Sequence, residues 1–189
     1  MISKDTGETV RLRSYHTSRA GRRQIMIWEA ACATSAATTF FDPVRISTGE
    51  SFVDGAIGAN NPVGQVWTEA LDLWPSLQRN IKCLVSIGTG VPSQTPFVKD
   101  DIASIGKMLI RIATETEATA ESFRRDKQDL DAEGRYYRFN VSRGLENVAL
   151  ENAEARPTIL AATRHYIETQ TVYKEFQACA KVLRHEADC

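Results

Sequence analysis

The sequence predicts an α/β domain with a largely parallel central sheet, and three observations point that way. Short β-branched or aromatic runs such as CLVSIGTG and YYRFNV alternate with longer stretches whose apolar residues recur at helical spacing. The connections between them carry Gly, Pro and Asn, the residues that turn a chain. The 189 residues are 42% hydrophobic and 25% charged, enough for one domain with a sizeable core, and no repeat, low-complexity tract or Pro/Gly/Ser linker divides them.

Residues 9–15, TVRLRSY, alternate well enough for a strand, and the basic, polar HTSRAGRR that follows reads as a loop. QIMIWEAACATSAAT, residues 24–38, places Ile25, Trp28, Ala31 or Cys32, and Ser35 at helical spacing among many small side chains, which lets a helix sit close to its neighbour. Pro43 ends it by disfavouring helical geometry at Asp42. VRIS and SFVDG then read as two short strands around a turn at Thr48-Gly49. Asn61 is a favoured helix cap and Pro62 a favoured first helical residue, so a helix is expected from Pro62 to about Trp74, with Pro75 as its stop. NIKCLVSIGTG reads as a buried strand closed by a glycine turn. A longer helix over 101–128, a strand over 136–141 and a last helix over 154–184 complete the chain, the last carrying Ile159, Tyr166, Tyr173, Phe176, Ala180 and Leu183 along one side.

Composition narrows the function classes. Lys plus Arg number 23 against 24 Asp plus Glu, and a net charge of -1 gives no electrostatic case for nucleic acid or an anionic membrane, so any lipid contact has to be local. The polar start MISKDTGETV lacks an apolar leader, and no run reaches the roughly 18 apolar residues of a spanning helix. The expectation is a soluble, cytoplasmic chain that meets membranes at most peripherally. Cys32, Cys83, Cys179 and Cys189 are scattered and read as buried or free thiols of a reducing compartment. His16, His165 and His185 lie far apart without ligand spacing, so neither a metal nor a cofactor is expected. Glu115, Glu117, Glu121 and the run RRDKQDLDAE read as solvated surface. In SIGTG the third glycine of a nucleotide loop is missing, so it reads as a strand-ending turn.

FVDGAIGANNPV, residues 52–63, is the stretch with chemical content. Ligands of open α/β sheets bind beyond the carboxyl ends of strands, and Asp54 sits at such an end. Gly55, Ala56 and Gly58 keep the backbone after it free of bulk, Asn60 is suited to bonding the turn backbone, and Asn61 to capping the next helix. From spacing alone, a D-G turn before a capped helix and the acid of an active site both remain open.

Read together, IWEAACATSAATTFFDPV (27–44), FVDGAIGANNPV (52–63), EALDLWP (69–75) and CLVSIGTG (83–90) resemble the second half of a patatin-like lipid acyl hydrolase domain, most closely the fungal type. The best-resembling region is 27–91, and weaker likeness continues through YYRFNV, GLENVALEN and TRHYIET. The resemblance implies an incomplete three-layer α/β/α fold with a largely parallel central sheet. It also implies lipid esters, phospholipids or acylglycerols, as substrates, and no cofactor. In that family the serine of a G-x-S-x-G elbow pairs with the aspartate of a D-G-A/G motif, which Asp54-Gly55-Ala56 matches, so Asp54 is implied as the proton acceptor. Backbone N–H groups of a glycine-rich loop hold the oxyanion.

Neither that loop nor an elbow occurs in the 189 residues. Ser51 has Val53 where the second glycine is needed, Ser86 has Leu84 at the leading glycine position, and Ser35 lies within a helix among alanines. Cys32 stands where relatives usually carry a basic residue. The expectation is therefore that residues 1–189 are the C-terminal part of one such domain, with the acid but not the serine, and that they do not hydrolyse esters alone. The alternative is a catalytically inactive lipid-binding or regulatory module that kept the acyl pocket.

Overall fold

A computed structural model describes residues 1–16, 25–38, 40–91, 115–146, 148 and 152–184. The chain divides into two compact units, Met1–Leu77 and Gln78–Cys189. Both mix helices with short strands, so the α/β class holds.

The first unit runs β1 (Ile2–Ser3), α1 (Ile27–Ser35), β2 (Val44–Arg45), β3 (Ser51–Val53), α2 (Ala56–Ala59) and α3 (Val63–Leu73). Its sheet has the order β1-β3-β2 with both pairings antiparallel. The hairpin of β2 and β3 follows the sequence expectation, and Gly49 makes its turn with φ 91°, a left-handed conformation that glycine adopts without strain. In β3 only Phe52 points inward; it is fully buried against Met1, Ala33 and Ile46, with Val10, Leu12, Ile25 and Val44 packed around that cluster.

The strand expected over residues 9–15 does not form. That segment makes one isolated bridge, Thr9 to Ile2, and the neighbour of β3 is instead the two-residue β1. Arg11 and Arg13 turn their side chains to Glu69 of α3. Period-two alternation here marks an extended segment against a helix, not a rung of a sheet. A short helix, α2, also begins directly after Gly55, where a plain turn was expected before Pro62.

α1 is tied to the hairpin by Glu29. Its carboxylate accepts the Met26 N–H at 2.8 Å, as in a capping box, and the Ser47 N–H at 2.7 Å. The Met26 N–H, opposed by burial and reinforced by the Ser47 N–H and hydroxyl, holds this carboxyl below the usual carboxylate range.

In the second unit β4 (Leu84–Ile87) and β5 (Tyr136–Phe139) pair in parallel, in register from Leu84 with Tyr136 to Ile87 with Phe139. The parallel pairing that the sequence predicts is thus found here, whereas the hairpin makes the first sheet antiparallel. α4 (Leu77–Asn80) precedes β4; α5 (115–126) and α6 (Gln128–Ala132) lead into β5. Residues 101–114 of the expected long helix lie outside the described residues. The expected last helix is two, α7 (Arg156–Glu168) and α8 (Gln170–Arg184), broken at Thr169 with ψ 129°. Cys179 on α8 is buried and its sulfur lies 3.9 Å from that of Cys83, just before β4.

Candidate functional site

Asp54 follows β3 directly, and its backbone N–H donates to the Ala36 carbonyl at 2.9 Å, which fixes the strand end against the segment after α1. Its side chain is half-buried, and Oδ1 accepts the Ala56 N–H at 3.2 Å. A carboxylate oxygen not so engaged can take a proton from a ligand or a neighbouring hydroxyl. Gly55 is required by close approach: a Cβ there would lie 2.8 Å from the Met1 nitrogen. Its φ of -78° is open to any residue, so space and not backbone handedness selects glycine.

Downstream, α3 starts at Val63, one residue later than expected, with Pro62 at the cap position; buried Asn61 still serves the helix start, its Oδ1 accepting the Val63 N–H at 3.3 Å. α3 buries Val63 and Trp67 and leaves Val66 partly exposed.

Asp54 opens onto a cavity of about 710 Å³ formed within the first unit by residues of the 9–15 segment, the 54–60 stretch and α3. Its walls are mostly apolar, with Val10, Leu12, Val66, Leu73 and Trp74 contributing. This is the size and character of a small-ligand site, with a few polar groups in an apolar lining. Its polar lining includes Glu69, which Arg11 and Arg13, also in the lining, both engage. Arg13's hydrogen bonds, opposed by burial and aided by Arg11, hold the Glu69 carboxyl down to about 2. Tyr15 adds a hydroxyl 3.4 Å from the same carboxylate.

No serine lines this cavity among the described residues. Ser51 lies within β3, opposite Arg45; Ser35 ends α1 on the surface. Ser86 is buried in β4 of the second unit, where its hydroxyl accepts from Arg138 at 3.0 Å. His165 is exposed on α7, and His185 lies outside the described residues. Among the described residues no group of His, Cys, Asp and Glu is arranged to hold a metal ion. The cavity itself, and the Arg11–Glu69–Arg13 cluster within it, were not foreseen from sequence; the alternation of residues 9–15 was the available signal.

The second unit explains two other sequence features. Gly88 makes room for the side chain of Asn140, just past β5: its Oδ1 accepts the Gly90 N–H at 2.7 Å, and a Cβ on Gly88 would meet that oxygen at 2.2 Å. Glu117, expected as solvated surface, instead accepts from buried Arg138 at 2.9 Å and from Asn140 at 2.8 Å.

Residues 6–67 match the family model described as patatin-like phospholipase, a span that contains Asp54 and most of the cavity wall. Over 115 residues, 60% of this chain, the sequence is 36% identical to Phospholipase A I of Arabidopsis thaliana. The matched stretch is 8% of that relative's length, so the chain spans a small part of the curated protein it matches.

Proposed function

We propose, from the match of residues 6–67 to the patatin-like phospholipase model, that the chain contributes the acid half of a lipid acyl hydrolase, a protein that cleaves ester bonds of phospholipids or acylglycerols. Asp54 of the Asp54-Gly55-Ala56 motif is the proton acceptor in this reading, and the serine it activates is supplied from outside the 189 residues. The observation that supports it is the position of Asp54, at a strand end and on the wall of a largely apolar cavity, inside the span that matches the family.

The chemistry follows from the geometry. A serine hydroxyl is a weak nucleophile until a neighbouring base takes its proton. With Oδ1 accepting the Ala56 N–H, the carboxylate is held in one orientation for that transfer. The apolar wall accommodates an acyl chain while the ester carbon lies near the acid. Among the described residues no helix is long and apolar enough to cross a membrane.

The test is an esterase assay. The 189-residue chain alone is expected not to turn over a chromogenic acyl ester, and turnover that Asp54→Ala abolishes would place the nucleophile within these residues instead. In a longer protein that also carries a G-x-S-x-G elbow, Asp54→Asn is expected to lower kcat by about 10⁴-fold or more. Undiminished kcat there would remove Asp54 from the mechanism.

A further inference from the structure

The cavity holds a pair of guanidinium groups for which proton transfer at Asp54 has no use. Arg13 grips Glu69 through Nε and a terminal nitrogen and so occupies both carboxylate oxygens. Arg11 reaches the same carboxylate through Nη1 alone. Two cations therefore share one carboxylate, and all three side chains line the cavity that Asp54 also lines. The Arg13 side chain is 15% exposed and that of Arg11 32%, so Arg11 is the one a ligand reaches. Asp72 bears electrostatically on Arg13, and Asp54 on the Met1 amino group, whose charge it favours. Among the described residues Arg11 Nε and Nη2 donate to no acceptor, which leaves a planar donor edge of the kind that matches a phosphate or carboxylate.

We propose that Arg11 is an anion-binding residue of this cavity, seating the charged oxygens of an anionic amphiphile while Val10, Leu12, Val66, Leu73 and Trp74 take its hydrocarbon chain. The proposal rests on the reading of the cavity as a lipid site and adds a charge preference to it. Asp54 disfavours an anion beside itself, so the charged end seats at the arginine and the apolar wall receives the rest. Phosphate of a lipid head group and carboxylate of a released fatty acid present the same oxyanion edge to a guanidinium.

The experiment titrates the 189-residue chain with decyl phosphate, decanoate and decanol, each below its micelle concentration, and reads the fluorescence of Trp74, which lines the cavity and is 59% exposed. Trp74→Phe identifies which part of the signal belongs to the site. Decyl phosphate or decanoate is expected to bind at least about 10-fold more tightly than decanol, and Arg11→Met to remove about 10- to 100-fold of that affinity while decanol binding is unchanged. Arg11→Lys should restore part of it, since the charge returns without the fork. A preference confined to decyl phosphate identifies the head group as the source of the anion; equal preference for decanoate admits the fatty acid. Equal affinity for all three ligands, or anion binding untouched by Arg11→Met, overturns the role of Arg11 and leaves the lipid cavity standing. Binding of none of the three overturns the lipid reading itself.

Discussion

Gly55 is a position where the addition of one methyl group has a calculable effect. Its Cβ would sit 2.8 Å from the nitrogen and 3.2 Å from the Cα of Met1, and both are backbone atoms that cannot rotate away. Gly55→Ala is therefore expected to cost about 1–3 kcal/mol in urea denaturation, in the range of other overpacked sites. A change within about 0.5 kcal/mol would mean that the backbone around Met1 yields. The requirement for a small residue beside Asp54 was legible in the sequence as freedom from bulk, but its partner was not: the constraint is the Met1 backbone, 54 positions away, which no local pattern reveals. Glu29 was equally hidden, because a glutamate inside a helix reads as surface until its partners at Met26 and Ser47 are known.

At the scale of elements, β3 packs tightly for its three residues. Phe52 is its one fully buried side chain and touches the cluster of Ala33 and Ile46, so Phe52→Ala is expected to cost about 3–5 kcal/mol by the same measurement. The hairpin that carries it was legible, since Gly49 marks the turn and alternation marks the strand. Residues 9–15 misled because alternating side chains serve equally an extended segment that clasps a helix. That clasp has its own pH signature. Glu69 titrates from 4.5 in the unfolded chain to about 2 in the fold, so its stabilisation is present above about pH 4.5 and is lost as pH falls toward 2. Across that window the melting temperature of the wild type should fall more steeply than that of Glu69→Gln, and parallel curves would show that the ion pairs add nothing. The break at Thr169 between α7 and α8 left no trace in the sequence: no glycine or proline marks it, and apolar spacing runs through it.

At the scale of the whole chain, each unit has its own core, and chemistry is concentrated in the first. Asp54 was legible because its motif is contiguous. The cavity was not, since it is assembled from three separated stretches, and a wall shared among loop, strand end and helix has no period to detect. In the second unit, the neighbouring sulfurs of Cys83 and Cys179 have a consequence outside structure determination. They are 96 positions apart in sequence yet 3.9 Å apart in space, a distance that a side-chain rotation converts into a covalent tether. Hydrogen peroxide, taking two electrons as it is reduced to water, should join the peptides bearing these two cysteines into one species two hydrogens lighter than their sum. A mass spectrometer thus checks from a single digest that α8 lies against the residue entering β4, and absence of the Cys83–Cys179 species would disprove that placement.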